Sequence, residues 1–371
     1  MTRHVYIHVP FCARRCSYCD FSIAVRRVVP VDEYLSALDA ELRVRFGFSE
    51  PETVDTIYFG GGTPSRLGGS GVARALDLVR RHFTPTADAE ITIEANPEDI
   101  SRPAAEEWRR AGVNRLSIGA QSFDDRVLQW MHRTHDARGT TAAVEAARAA
   151  GITNLSLDLI FALPEALERD FERDVEQILA LRPDHVSLYG LTIEPKTPLG
   201  RWVGQGLTIE QPEEDYESDF LTAHRLLCQA GFEHYEVSNY GRPGRRARHN
   251  SAYWSSVPYV GLGPAAHGFD GSIRRWNTRH YAEWRGVVMS GADPVEGEEQ
   301  LTAENRVAEQ VYLGMRSDTG LELLPDDLQV VQRWMDAGWS VVGSDGRLRC
   351  TPEGWLRLDS LAAALTHHRS R

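Results

Sequence analysis

Apolar positions in the first half of the chain come in six short runs, each followed by a stretch with helical spacing. The runs are HVYIHV at 4–9, DTIYF at 55–59, EITIEA at 90–95, RLSIGA at 115–120, LSLDLIFA at 155–162 and HVSLYGL at 185–191. They are rich in Val, Ile, Leu and Tyr and predict strands. Amphipathic segments lie between them, such as EYLSALDAELRVRF (33–46) and the Ala-rich TTAAVEAARAAG (140–151). This alternation implies a parallel sheet with right-handed crossovers. Six units between residues 4 and 191 are too few for a closed eightfold barrel. The pattern leaves an open six-stranded barrel or a doubly wound sheet.

The tail has a different pattern. TAENRVAEQVYLGMR (302–316) places Val307, Val311 and Met315 at i, i+4 spacing, and LLPDDLQVVQRWMDAGW (323–339) is a second predicted helix. WSVVGSDGRLRCTPEGW (339–355) reads as a hairpin turning at Asp345-Gly346, followed by a helix around LRLDSLAAAL. Residues 301–371 therefore predict a small winged-helix-like α+β domain, a shape that by itself carries no DNA-binding reading. The barrel unit is expected over 1–240. Residues 241–300, rich in Gly, Pro, Arg and aromatics, are expected to form a loop-built connection.

Composition narrows the function. The 371-residue chain is 42% hydrophobic and 25% charged, as expected of a globular protein, and is large enough for two domains. With 41 basic against 53 acidic residues, its net charge of −12 argues against a general nucleic-acid binder. No apolar run approaches the ~20 residues needed to span a bilayer. The opening MTRHVYIHVPFC has no signal-peptide core, so the expected location is the cytoplasm.

Five cysteines remain to be explained. Cys228 and Cys350 sit in apolar contexts that suggest packing, whereas Cys12, Cys16 and Cys19 crowd together as Cys-x3-Cys-x2-Cys. Three clustered thiols and two remote ones do not form a disulfide framework. Structural zinc would need a fourth ligand from afar, or from His8 or Asp20. A ferredoxin-like cubane would need a fourth cysteine. A 4Fe–4S cluster with one iron left open needs three ligands and no more.

Cys-x3-Cys-x2-Cys after a short first strand resembles the signature of radical S-adenosylmethionine (SAM) enzymes. The resemblance implies a partial (β/α)6 barrel, with SAM chelating the open iron. In such a barrel chemistry gathers where strands end. Here the strands run into Cys12, into GGGTP (60–64), to Glu94 and NPE, to Gln121, past Asp158, and to Tyr189 and Glu194.

The chain is more closely similar to oxygen-independent coproporphyrinogen III oxidases and their relatives, the HemW-type haem chaperones. The similarity rests on YIHVPFC, FGGGTPS, EANPE, LSIGAQSF, YEVSNY and RHNSAYW. It implies that Tyr6 and Tyr18 flank the cluster and SAM. It also implies that Gly61, Gly62 and Thr63 hold the methionyl end, and that Glu94, Gln121, Arg133 and Asp158 bind the remaining polar groups of SAM. The glycines could instead only shape a tight turn; the functional reading is that their backbone approaches the ligand closely. One departure is FALPEA (161–166), where the family often reads Tyr-Gly-Leu-Pro-Gly.

Within this group the oxidases carry a further cysteine where this chain has Phe21, and an extension before the cluster, for which Cys12 leaves no room. HNSAYW (249–254) matches the H-N-x-x-Y-W pattern of the chaperones. It makes His249 a candidate haem ligand, with Tyr253 and Trp254 offering aromatic surface. Arg242, Arg245, Arg246 and Arg248 are candidate partners for haem propionates, and His267 in GLGPAAHG is an outside candidate for the same site. The expected function is a haem chaperone that passes haem to client haemoproteins, with a homodimer as its candidate assembly. The alternative is an enzyme that cleaves SAM to a 5′-deoxyadenosyl radical and acts on a porphyrinogen or another organic substrate. A winged-helix regulator is a third reading, disfavoured by the charge.

Overall fold

The computed structural model describes residues 3–47 and 49–370. All six predicted strands form: β1 (His4–Val9), β2 (Glu52–Gly61), β3 (Phe83–Ala95), β4 (Arg115–Gln121), β5 (Asn154–Phe161) and β6 (His185–Gly190). Three shorter strands join them: β7 (Glu233–Glu236), β8 (Asn239–Gly241) and β9 (Val260–Leu262). The sheet order is β9-β1-β2-β3-β4-β5-β6-β8-β7. Pairing is parallel from β9 to β6 and antiparallel beyond it. The two edge strands do not pair with each other, so the barrel stays open.

Period-two alternation decides between barrel and doubly wound sheet. Val5, Ile7, Val9, Ile57, Phe59, Ile91, Ile93, Leu116, Ile118, Leu155, Leu157, Val186 and Leu188 share one apolar core with the surrounding helices. The alternate residues, among them His4, Thr56, Tyr58, Glu94, Arg115, Ser117, Ser156, Asp158, His185 and Ser187, hydrogen-bond or act electrostatically on one another across the strands. A doubly wound sheet is apolar on both faces, whereas this sheet has a polar inner face, as a barrel with a site inside it requires.

The outer layer includes α1 (Val31–Phe46), α2 (Gly68–Arg80), α3 (Arg102–Ala111), α4 (Ala137–Ala149), α5 (Phe171–Ala180) and α6 (Glu213–Gln229). The segment expected to be loop-built is largely ordered. It holds α7 (Arg248–Trp254), β9, the antiparallel strands β10 (His267–Phe269), β11 (Ile273–Asn277) and β12 (Val295–Gln300), and α8 (Tyr281–Met289). Two of those strands have only three residues, too few to register as a period-two pattern.

The helices and hairpin expected in the tail form. It runs α9 (Ala303–Arg316), β13 (Leu321–Glu322), α10 (Leu328–Asp336), β14 (Ser340–Val342), β15 (Arg347–Cys350) and α11 (Leu358–Arg369). Gly346 turns the β14–β15 hairpin with φ 73°, and the three strands order as β13-β15-β14. Val311, Met315, Trp334, Leu348 and Trp355 are continuous with the barrel core. Among the described residues no helix is long and apolar enough to cross a membrane.

Candidate functional site

The cysteine loop is anchored at its root. Phe11 is fully buried, edge-on to Tyr34 and Tyr281 at 5.6 and 5.0 Å. Ala24 N–H donates to Pro10 O and Arg26 N–H to Cys12 O, tying the outgoing chain back to the incoming one. Further along, Ser17 N–H donates to Met131 O, and Leu199 N–H to Ser17 O. The three thiols, all free, line one cavity of about 540 Å³ together with Tyr18, Gly61, Gly62, Thr63, Glu94, Gln121, Arg133 and Asp158. That volume suits a nucleoside-sized ligand.

The donor set fits a cluster bound by three thiolates. The Thr63 hydroxyl donates to Cys12 Sγ at 3.4 Å, and the Arg133 guanidinium to Cys16 Sγ at 3.6 Å. Both contacts favour thiolate charge. Burial pushes the Cys12 thiol up and Cys19 up to about 11, so deprotonation is left to metal binding. Of the nearby fourth ligands that zinc would need, His8 is held by Tyr6 and the Ser22 carbonyl and Asp20 is exposed. Among the described residues no three His, Cys, Asp or Glu side chains, the three cysteines included, converge on a single ion; the thiols instead line a shared cavity.

The glycine triplet packs closely against the first strand, and Gly61 and Gly62 also line the thiol cavity. A Cβ on Gly60 would meet Tyr6 at 2.8 Å, one on Gly61 the His8 ring at 2.5 Å, and one on Gly62 the Pro10 carbonyl at 2.7 Å. Gly61 also has φ 112°. Its N–H donates to Glu94 Oε2 and that of Gly62 to Val9 O. What Gly61 and Gly62 can offer a ligand is therefore their carbonyl side.

The polar side chains at the strand ends are held in place. Glu94 accepts from the Tyr58 hydroxyl at 2.8 Å and from Gly61 N–H at 3.1 Å. Burial, reinforced by Asp158, raises its pKa to about 7. Asp158 accepts from the Ser117 hydroxyl at 3.1 Å and is raised by burial. Gln121 ends β4 in the left-handed region at φ 66°. Arg133 is no solvated surface charge: it donates to Asn96 Oδ1 at 2.7 Å and to Gly119 O at 3.0 Å.

Tyr6 is placed differently from its expected role. It stands behind Gly60, stacked on Tyr58 at 6.1 Å, and lines a second cavity instead. The sequence reading also passed over Arg115, which is buried among the inner-face residues and acts electrostatically on Glu94 and Asp158. The signal was present, since Arg115 belongs to the polar alternation of RLSIGAQ.

The HNSAYW motif forms α7, and its histidine is 1% exposed. His249 Nδ1 is hydrogen-bonded to the Thr56 hydroxyl at 2.6 Å and Nε2 to the Tyr253 hydroxyl at 2.7 Å. Its ring stacks on Tyr58 at 5.0 Å. Glu90 accepts from the N–H groups of Arg248 and His249 at the start of the helix. Both ring nitrogens of His249 are thus engaged within the protein, so a metal bound there would have to displace one of these hydrogen bonds. Tyr253 and Trp254 do reach the second cavity.

Three of the four arginines of the expected patch are ion-paired, and the fourth is held by an aromatic ring and carbonyls. Arg245 pairs with Asp184, Arg246 with Glu233 and Asp318, and Arg248 with Asp88. Arg242 stacks on Phe232 and donates to the carbonyls of Pro183 and Ala230. None of the four lines the second cavity.

Cluster-spaced thiols at the mouth of an open, parallel barrel define a radical SAM protein, and residues 6–178 match the family model described as the Radical SAM superfamily. The solved structure of coproporphyrinogen III oxidase (HemN) from Escherichia coli has the same fold. It superposes with a TM-score of 0.82 at 24% identity, over 99% of this chain and 90% of that one. Among curated proteins, the heme chaperone HemW of Mycobacterium tuberculosis is 42% identical over 86% of this chain and 83% of its own length. HemW of Bacillus subtilis is 33% identical over 86% and 84%, and that of Escherichia coli 40% over 74% of each. The chain belongs to the HemW family of the radical SAM superfamily.

Proposed function

We propose that this protein is a haem chaperone that carries a 4Fe–4S cluster on Cys12, Cys16 and Cys19, binds SAM beside it, and passes haem to client haemoproteins. The observation that carries the cofactor half of this reading is the convergence of three free thiols with Glu94, Gln121, Arg133 and Asp158 on one cavity. The relatives named as heme chaperones support the other half.

Residue roles follow from chemistry. Arg133, fixed by Asn96 and Gly119, presents positive charge beside Cys16 and can meet a carboxylate. Glu94 can accept from an amine, and Asp158 from ribose hydroxyls. Thr63 holds Cys12 in orientation. When bound, the cluster would supply one electron and an open iron for SAM.

The test is anaerobic: reconstitute the cluster, measure SAM binding, load haem, and mix with an apo-haemoprotein. Haem transfer to the acceptor supports the chaperone, and Cys16→Ala should remove the cluster spectrum. 5′-Deoxyadenosine release that requires a porphyrinogen, with no haem transfer, would replace the chaperone by the enzyme.

A further inference from the structure

The second cavity, of about 760 Å³, is lined largely by aromatic and aliphatic side chains of β1, α7, β10 and α9, including Tyr6, Tyr253, Trp254, Phe269 and Leu313. Its volume lies in the upper part of the usual range for small-molecule sites, roughly 300–1,000 Å³. It continues into a more polar crevice of about 430 Å³, with which it shares Trp254, Ser256, Phe269, Glu309 and Leu313. An apolar slot opening onto a polar one suits a flat ligand with one charged edge.

Two side chains give that space a chemical identity. His267, at the start of β10, is exposed and lines the apolar cavity. Its ring stacks on Trp276 at 5.9 Å, and neither ring nitrogen is hydrogen-bonded among the described residues. The other histidine, the carboxylate and the motif tyrosine on that wall are engaged: His8 with Tyr6 and Ser22, Glu309 with Arg274, and Tyr253 with His249. Burial and nearby Arg274 lower the pKa of His267, keeping its imidazole neutral, the form that ligates metals. In the polar crevice Arg306 is exposed. It donates to the Gly271 carbonyl and the Ser272 hydroxyl, and it has no carboxylate within ion-pair distance among the described residues.

We propose that haem binds in this double cavity, with His267 as the iron ligand, Tyr253, Trp254 and Phe269 against the porphyrin, and Arg306 facing the propionates. This assignment rests on the haem-chaperone reading and moves the ligand from the motif histidine to a residue eighteen positions later. His249 then acts as a positioning residue: its bond to the Tyr253 hydroxyl turns that ring toward the cavity.

Haem is titrated into the cluster-reconstituted protein and followed at the Soret band. The variants are His267→Ala, Arg306→Ala and Leu313→Trp, with SAM binding in the separate cavity as the fold control. The wild type should bind stoichiometrically. His267→Ala should weaken binding by roughly tenfold or more and lose the histidine-ligated spectrum, and added imidazole should restore that spectrum. Leu313→Trp should block binding with no rescue by imidazole, and Arg306→Ala should weaken binding without changing the spectrum. Stoichiometric wild-type binding that is indifferent to both His267→Ala and Leu313→Trp overturns the site while leaving the chaperone standing. Absence of saturable wild-type binding overturns the chaperone reading itself.

Discussion

Glu94 shows how much a single side chain depends on its surroundings. Buried beside Asp158, it titrates near 7 although it accepts two hydrogen bonds. Below that pH it is protonated and accepts poorly from a ligand amine; above it, it is ionised and accepts well. SAM affinity should therefore fall as pH drops through 7, by up to about tenfold per unit, and Glu94→Gln should flatten that dependence. Calorimetric titrations of both proteins between pH 6 and 8 would show it, and parallel curves would remove Glu94 from the site. Glu94 and Asp158 were legible in the sequence because each lies near a strand end that a local pattern locates. The engagement of His249 was not legible. Its partner Thr56 is 193 residues away, and only the folded chain shows that the ring has no free nitrogen.

At the scale of elements, the loop after β5 keeps its shape at a cost. Where the resembled family has glycine, Ala162 adopts φ 58°, a conformation that costs a residue with a Cβ roughly 1–2 kcal/mol. Ala162→Gly should raise stability by about 0.5–1 kcal/mol once glycine's greater freedom in the unfolded chain is subtracted, measured by urea unfolding. For α7, His249→Ala takes one of two hydrogen-bond partners from the Thr56 hydroxyl, which keeps His4, leaves the Tyr253 hydroxyl without its imidazole partner, and removes a ring stacked on Tyr58. A loss of about 2–4 kcal/mol is expected, with a histidine-ligated haem spectrum retained at saturating haem. Disappearance of that spectrum would restore His249 as the ligand. The arginine run of RPGRRARH illustrates the limit of reading charge by adjacency. Its partners Asp88, Asp184, Glu233 and Asp318 come from four other places in the chain.

At the scale of the whole molecule, His234 lies at one of the places where the barrel sheet meets the C-terminal segment. Its ring stacks on Tyr240 at 3.9 Å and meets Trp355 edge-on at 4.3 Å. Burial lowers its pKa from 6.5 to about 3. The unfolded chain therefore takes up this proton below 6.5, while the folded chain refuses it until about 3, so stability is lost as pH falls through that window. His234→Leu should reduce the acid slope by about 1.4 kcal/mol per pH unit relative to wild type. Equal slopes in urea unfolding across that range would show that this histidine is not the sensitive joint. The barrel was visible in the strand runs because they are local. The edge strand β9 was not, since Val260 pairs with Val5 across the whole length of the barrel sequence. The polar inner face, by contrast, was written in every strand from HVYIHV onward.

The glycine triplet has a consequence beyond its own turn. Tyr6 and His8 press on Gly60 and Gly61 from the side of the second cavity, while Gly61 and Gly62 face the cysteines on the other. The first strand and the glycine triplet packed against it thus lie between the two compartments. If both are occupied in the same molecule, their occupants are thermodynamically linked: whatever factor SAM applies to the affinity for haem, haem must apply to the affinity for SAM.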